Sequence, residues 1–173
     1  MISKYNQAKK MSGLTTEYLQ NLMKICSFDP NAFKGVFSCD NFYIKVKDCH
    51  IQSPGNAYII NLSSSNHSGS HWVAVHVNTP QEVEYFDPYG LDCFDNFIKK
   101  AFEEQNITIS TFKKTIQDSS SQFCGLYCVA YLLCRELYIS KPTFASFFDD
   151  KELFKNDIIC VEIIKDIIKI AGI

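Results

Sequence analysis

From Phe123 to Tyr138 the chain is apolar almost all round, with Gly125, Arg135 and Glu136 as the exceptions. A helix with so few polar positions cannot lie on a surface, so it must be enclosed by other elements. With 173 residues the chain can build that enclosure once, and two full domains would be a tight fit. No internal repeat and no Pro- or Gly-rich linker divides it, so one domain over residues 1–173 is expected.

The elements around this helix follow from periodicity. Tyr18, Leu19, Leu22, Met23 and Ile25 recur at helical spacing behind Thr15, a candidate N-cap. Asp29-Pro30-Asn31 reads as a turn, and Phe42-Tyr43-Ile44 as a short strand. Ala57 to Leu62 reads as a buried strand, followed by the polar loop Ser63 to Ser70 and a strand from His71 to Val77. A third strand, Val83 to Phe86, closes in the turn Asp87-Pro88-Tyr89-Gly90. Phe94 to Phe102 has helical spacing, Ile107 to Phe112 alternates as a strand, and Asp157 to Ile170 ends the chain as a helix. That order predicts an α+β fold, with the buried helix packed on a mostly antiparallel sheet.

Composition removes several classes of function. Hydrophobic residues are 46% and charged residues 21%, which excludes a disordered or low-complexity chain. The 17 Lys and Arg nearly balance 19 Asp and Glu, so charge gives no case for nucleic-acid binding. No apolar run approaches the ~18 residues of a membrane span, and Met1 to Gln7 lack the apolar stretch of a signal peptide. An intracellular protein with free thiols is therefore expected, and the sequons at Asn61, Asn66 and Asn106 would be silent. The 8 cysteines include no Cys-x-x-Cys, and Cys124 with Cys128 lacks a matching second pair, so neither zinc nor another cofactor is expected.

Cys124 sits where the polar loop Gln117 to Gln122 meets the buried helix. A helix N-terminus offers unpaired N–H groups and the positive end of a dipole, both favourable to a thiolate. Two readings of Cys124 stand side by side, a nucleophile or one more small residue of a cysteine-rich core. A nucleophilic Cys needs a base, and the base needs an orienting acceptor. His71 opens a strand, while His76 falls on the opposite face with Trp72 and Ala74, and His50 and His67 lie in loops. Pairing of the two following strands as a hairpin would bring Asp87 beside His71, although Asp-Pro-Tyr-Gly is also an everyday turn. Gln117, seven residues before Cys124, leaves room for the loop to fold back and present an amide to an oxyanion.

The ordered set Gly69-Ser70-His71-Trp72-Val73-Ala74, Tyr85-Phe86-Asp87-Pro88-Tyr89-Gly90 and Gln117…Cys124-Gly125-Leu126-Tyr127-Cys128 resembles the adenovirus-type cysteine endopeptidases. These enzymes are related to the Ulp1-type SUMO proteases, and proteases of this type also occur in Polinton elements and virophages. The match covers about Ala57 to Cys134, with a fainter likeness at Phe33-Lys34-Gly35-Val36-Phe37. The resemblance implies a papain-like fold and the roles of base for His71, its orienter for Asp87, oxyanion donor for Gln117 and nucleophile for Cys124. It also implies cleavage of capsid or core precursor proteins at Gly-containing sites during virion maturation, with Trp72 lining the substrate path. Such a protein would act inside the host cell and in the particle. Removal of ubiquitin-like modifiers and a non-catalytic binding module are the alternatives on the same fold. The family also brings a DNA or peptide activator into view. The pI of 6.1 and the absence of any cysteine between Cys93 and Cys124 lend neither of them support.

Overall fold

The computed structural model describes residues 14–47, 51 and 53–172; the first ten residues, Cys49 and His50 lie outside them. Five strands form one sheet in chain order: β1 (Phe33–Ser38), β2 (Ala57–Asn61), β3 (Trp72–Thr79), β4 (Glu82–Phe86) and β5 (Thr108–Thr111). β2, β3 and β4 run antiparallel, while the two edge strands lie parallel to their neighbours.

Both faces of the sheet are covered, and strand alternation assigns the residues to each. Ile59, Trp72, Ala74 and Phe86 face one core, while Tyr58, Ile60, Val73, Val75 and Tyr85 face the other. The second core is closed by α2 (Cys39–Lys47) and α3 (Asn96–Glu103), through Phe42, Val46, Ile98 and Phe102. On the first face lies α4 (Cys124–Glu136), with nine of its 13 residues buried, as expected for an enclosed helix. It is held by α1 (Thr16–Cys26), α5 (Lys141–Ser146) and α6 (Asn156–Ala171). Tyr131 of α4 stacks on Phe86 of β4 at 4.3 Å and 7°, and Phe144 meets both rings edge-on. Aromatic pairs of this kind add ~0.5–1.5 kcal/mol each beyond the area they bury.

Local signals explain the element ends. Thr15 caps α1 by accepting from the Tyr18 amide at 3.1 Å, and Asp95 caps α3 through the Ile98 amide. The exposed edge of β1 is also capped, because Gln20 Oε1 of α1 accepts the Val36 amide at 3.0 Å. Phe42-Tyr43-Ile44 is helical rather than extended: Cys39, Phe42 and Val46 are the buried positions, spaced three and four apart. The strand of that region lies just before, in β1. No periodicity in the sequence marks helix α5, although Ser140 caps it and Pro142 stands in its first turn.

On the α4 side of the sheet, His76 lies across from Glu84 in the β3–β4 register. Glu84 Oε2 accepts from the Tyr131 hydroxyl at 2.9 Å and Arg135 Nε at 2.7 Å, and stands 3.8 Å from His76 Nδ1. Burial, with the Arg135 charge adding to it and Glu84 opposing, pulls the His76 pKa down to about 4. Between the usual histidine pKa near 6.5 and about 4, the unfolded chain therefore binds a proton that the folded one refuses. Stability is expected to fall as pH drops through that window, by at most about 1.4 kcal/mol per unit. Urea unfolding at pH 7 and pH 5 should show wild type losing more than His76→Gln; parallel losses would contradict this.

Candidate active site

The β3–β4 hairpin pairs Ala74 with Phe86, so His71 just before β3 and Asp87 just after β4 leave the sheet at the same end. His71 Nε2 lies 3.0 Å from Asp87 Oδ1. Strict alternation would assign His71 to the face of Val73, away from α4. Residue pairing begins at Trp72, and although the His71 carbonyl still accepts the Leu62 amide at 2.9 Å, its ring turns to the end of the sheet toward Asp87. Asp87 is fully buried, and its Oδ1 also accepts the Tyr89 amide at 2.8 Å. The Tyr89 ring lies against the imidazole at 4.9 Å and 24°, a contact for which the Asp-Pro-Tyr-Gly signal gives only a turn. Gly90 has φ +71°, and a Cβ there would come 2.8 Å from the Lys114 carbonyl carbon, so this turn requires glycine.

Cys124 is the first residue of α4, and among the seven described cysteines, all free, it alone is not buried. Phe123 stands at the cap position without a side-chain hydrogen bond, so the helix's first-turn N–H groups have no side-chain cap there. The next residue, Gly125, lets α1 close in, since a Cβ would meet both Leu19 methyls at 3.0 Å. Cys124 and His71 line the same cleft, and Cys124 is among the groups that raise the His71 pKa. Burial by itself depresses the imidazole's pKa, but the Asp87 hydrogen bond, the Asp87 charge and the nearby Cys124 outweigh it and hold His71 at about 9. Elsewhere burial pushes the thiols of Cys93 and Cys134 up to about 12 and that of Cys39 to about 11.

Gln117 is buried, with Nε2 donating to the Ser121 carbonyl at 3.1 Å. The amides of Ile116 and Gln117 both donate to the Pro88 carbonyl, at 2.9 and 3.1 Å, which ties this loop to the Asp87 turn. Gln117 does not itself line the cleft in front of Cys124, whereas Gln122 does. Trp72 is 7% exposed and belongs to the core, its indole N–H donating to the Leu14 carbonyl at 3.2 Å. It still contributes to the lining of the cleft. That cleft, about 930 Å³, runs past His71, Tyr89 and Cys124 along the serine-rich 63–70 loop and the end of β1. Among the described residues that line it there is no Asp, Glu, Lys or Arg.

A papain-like α+β core with a half-exposed Cys at a helix N-terminus and a His–Asp pair facing it is that of a cysteine protease. The chain belongs to the adenovirus endoprotease family, whose profile matches residues 33–169. That match extends past Cys134 into α6. The chain is 28% identical to the protease of ovine adenovirus D serotype 7 over 142 residues, covering 74% of this chain and 68% of that protein. It is 22% identical to the protease of snake adenovirus serotype 1, covering 86% of this chain and 78% of the relative. The crystal structure of the ASFV pS273R protease has the same fold, with a TM-score of 0.58 at 16% identity over 92% of this chain and 77% of that one. Proteins are thus the substrates. No described helix is long and apolar enough to cross a membrane.

Proposed function

We propose that residues 1–173 form one protease domain that cleaves capsid or core precursor proteins at Gly-containing sites, inside the host cell and in the particle. In this reading Cys124 is the nucleophile, His71 the base, Asp87 its orienter and Gln117 an oxyanion donor. The observation that carries it is the imidazole held by Asp87 at 3.0 Å in the cleft that the only unburied described cysteine, Cys124, also lines.

The Cys124 thiolate attacks the scissile carbonyl carbon, and the carbonyl electron pair moves onto oxygen. The Cys124 N–H receives that oxyanion, and in this reading the second N–H of the Gln117 amide turns into the cleft to join it. As the C–N bond breaks, imidazolium His71 gives its proton to the departing amine, leaving a thioester on Cys124. A water then attacks the thioester, losing a proton to His71, and the acid leaves as the thiolate is restored. An Asp87 carboxylate keeps the ring oriented through both halves.

Apart from its histidines the described lining of the cleft carries no charged side chain and is rich in hydroxyls, which supports a substrate segment read through its main chain, with small uncharged side chains at the cut. Trp72 would form one wall of that path. The test sets peptides containing Gly pairs against a ubiquitin-like modifier joined to lysine through an isopeptide bond, with products mapped by mass spectrometry. Cleavage within the peptides is expected, with the conjugate left intact. Preferential hydrolysis of the conjugate would make the protein a deconjugating enzyme. Inertness toward both, in protein whose Cys124 alkylates like any free thiol, would make it a binding module.

A further inference from the structure

Two side chains from the first turn of α6 hold the loop that carries Gln117, one at each end. Asn156, fully buried, donates from Nδ2 to the Ile116 carbonyl at 2.9 Å. Asp157 Oδ1 accepts from the Ser121 hydroxyl at 2.8 Å and from the Tyr127 hydroxyl of α4 at 3.0 Å. Ser121 passes the constraint on in two directions. Its carbonyl accepts from Gln117 Nε2 at 3.1 Å, and its Oγ accepts the amide of Phe123, the residue before Cys124, also at 3.1 Å. From the Asp157 carboxylate to the Gln117 amide is therefore a path of two hydrogen bonds through one residue. A branch of the same path ends at the backbone entering the nucleophile.

We infer that Asp157 is a positioning residue for the oxyanion hole, fixing through Ser121 where the Gln117 amide and the Cys124 N–H point. This rests on the reading of Gln117 as an oxyanion donor. The ordinary role for an acidic residue in a helix's first turn is to complement the dipole. That role alone predicts a small loss of stability and no change in the chemical step. Positioning predicts the reverse emphasis, because donors must sit where the transition-state oxygen will be, and small displacements cost rate.

The full chain and its variants would be assayed on a fluorogenic peptide amide ending in Gly-Gly, with iodoacetamide alkylation of Cys124 measured alongside. Alkylation develops no oxyanion, so it reports the thiolate and His71 without reporting the hole. Asp157→Ala is expected to lower kcat about 10- to 100-fold, with KM and the alkylation rate within about twofold of wild type. Asp157→Asn keeps an acceptor oxygen for the hydroxyls and should recover most of kcat. Ser121→Ala leaves the Tyr127–Asp157 bond in place and should repeat the kcat loss, so a poorly folding Asp157→Ala does not decide the matter. An unchanged kcat in Asp157→Ala and Ser121→Ala, an Asp157→Asn as slow as the alanine variant, or a parallel fall in alkylation each overturns the inference. A wild type that leaves the amide uncut and alkylates Cys124 slowly would instead sink the protease reading, and this inference with it.

Discussion

Cys124→Ala is expected to abolish cleavage, lowering kcat by about 10⁴-fold or more. Members of a nucleophile–base–orienter set act as a unit, and removal of the nucleophile leaves only what binding and the oxyanion donors can do for attack by water. The other described cysteines cannot substitute, because each is buried. The variant should fold, since Cys124 is only partly buried and alanine suits the start of a helix. Single-turnover cleavage followed by mass spectrometry, with thermal unfolding as the control for folding, checks the result. Cleavage that persists in a folded Cys124→Ala would assign the nucleophile elsewhere and end the present scheme.

The second large effect concerns how Cys124 reacts as pH changes. His71 is held at about 9, so its imidazolium form persists from acid solution up to that pH. Raising the pH beyond it removes the positive partner of the thiolate and the proton for the leaving amine. Below it, the partner is present, and alkylation of Cys124 in mildly acidic solution should depend on His71. In His71→Ala that acid-side reactivity should drop by about 100-fold and reappear only in alkaline solution. Peptide cleavage should decline above about pH 9 in wild type. Equal reactivity of Cys124 at about pH 6 with and without His71 would mean that the ion pair does not exist.

Those two expectations draw on residues that are legible in the amino-acid sequence, and the reason is physical. Cys124, His71 and Asp87 each sit at a junction between a patterned element and a turn. The hairpin register that joins His71 to Asp87 follows from two adjacent strands and a short link. The buried helix is evident from its composition. What stays hidden depends on contacts far apart in sequence. Residues 39–47 are helical because Cys39, Phe42 and Val46 bury against β2 and α3, a tertiary preference that the aromatic and β-branched run Phe42-Tyr43-Ile44 conceals. The short α5 has a readable cap, yet six residues give periodicity too little length to register. Tyr89 against His71, and Asp157 behind Ser121, are side-chain contacts spanning 18 and 36 positions, for which one sequence carries no local signal.

The partly covered edge of β1 has a consequence for how this protein meets other chains. A strand at the rim of a sheet is a template on which extended polypeptide, including a protease's own uncut substrate, can polymerise. Here the Val36 amide is already taken by the Gln20 side chain, and Lys141 reaches the Ser110 hydroxyl on the opposite rim. A protease that handles extended polypeptide thus leaves fewer free groups on its own sheet margins for that polypeptide to pair with.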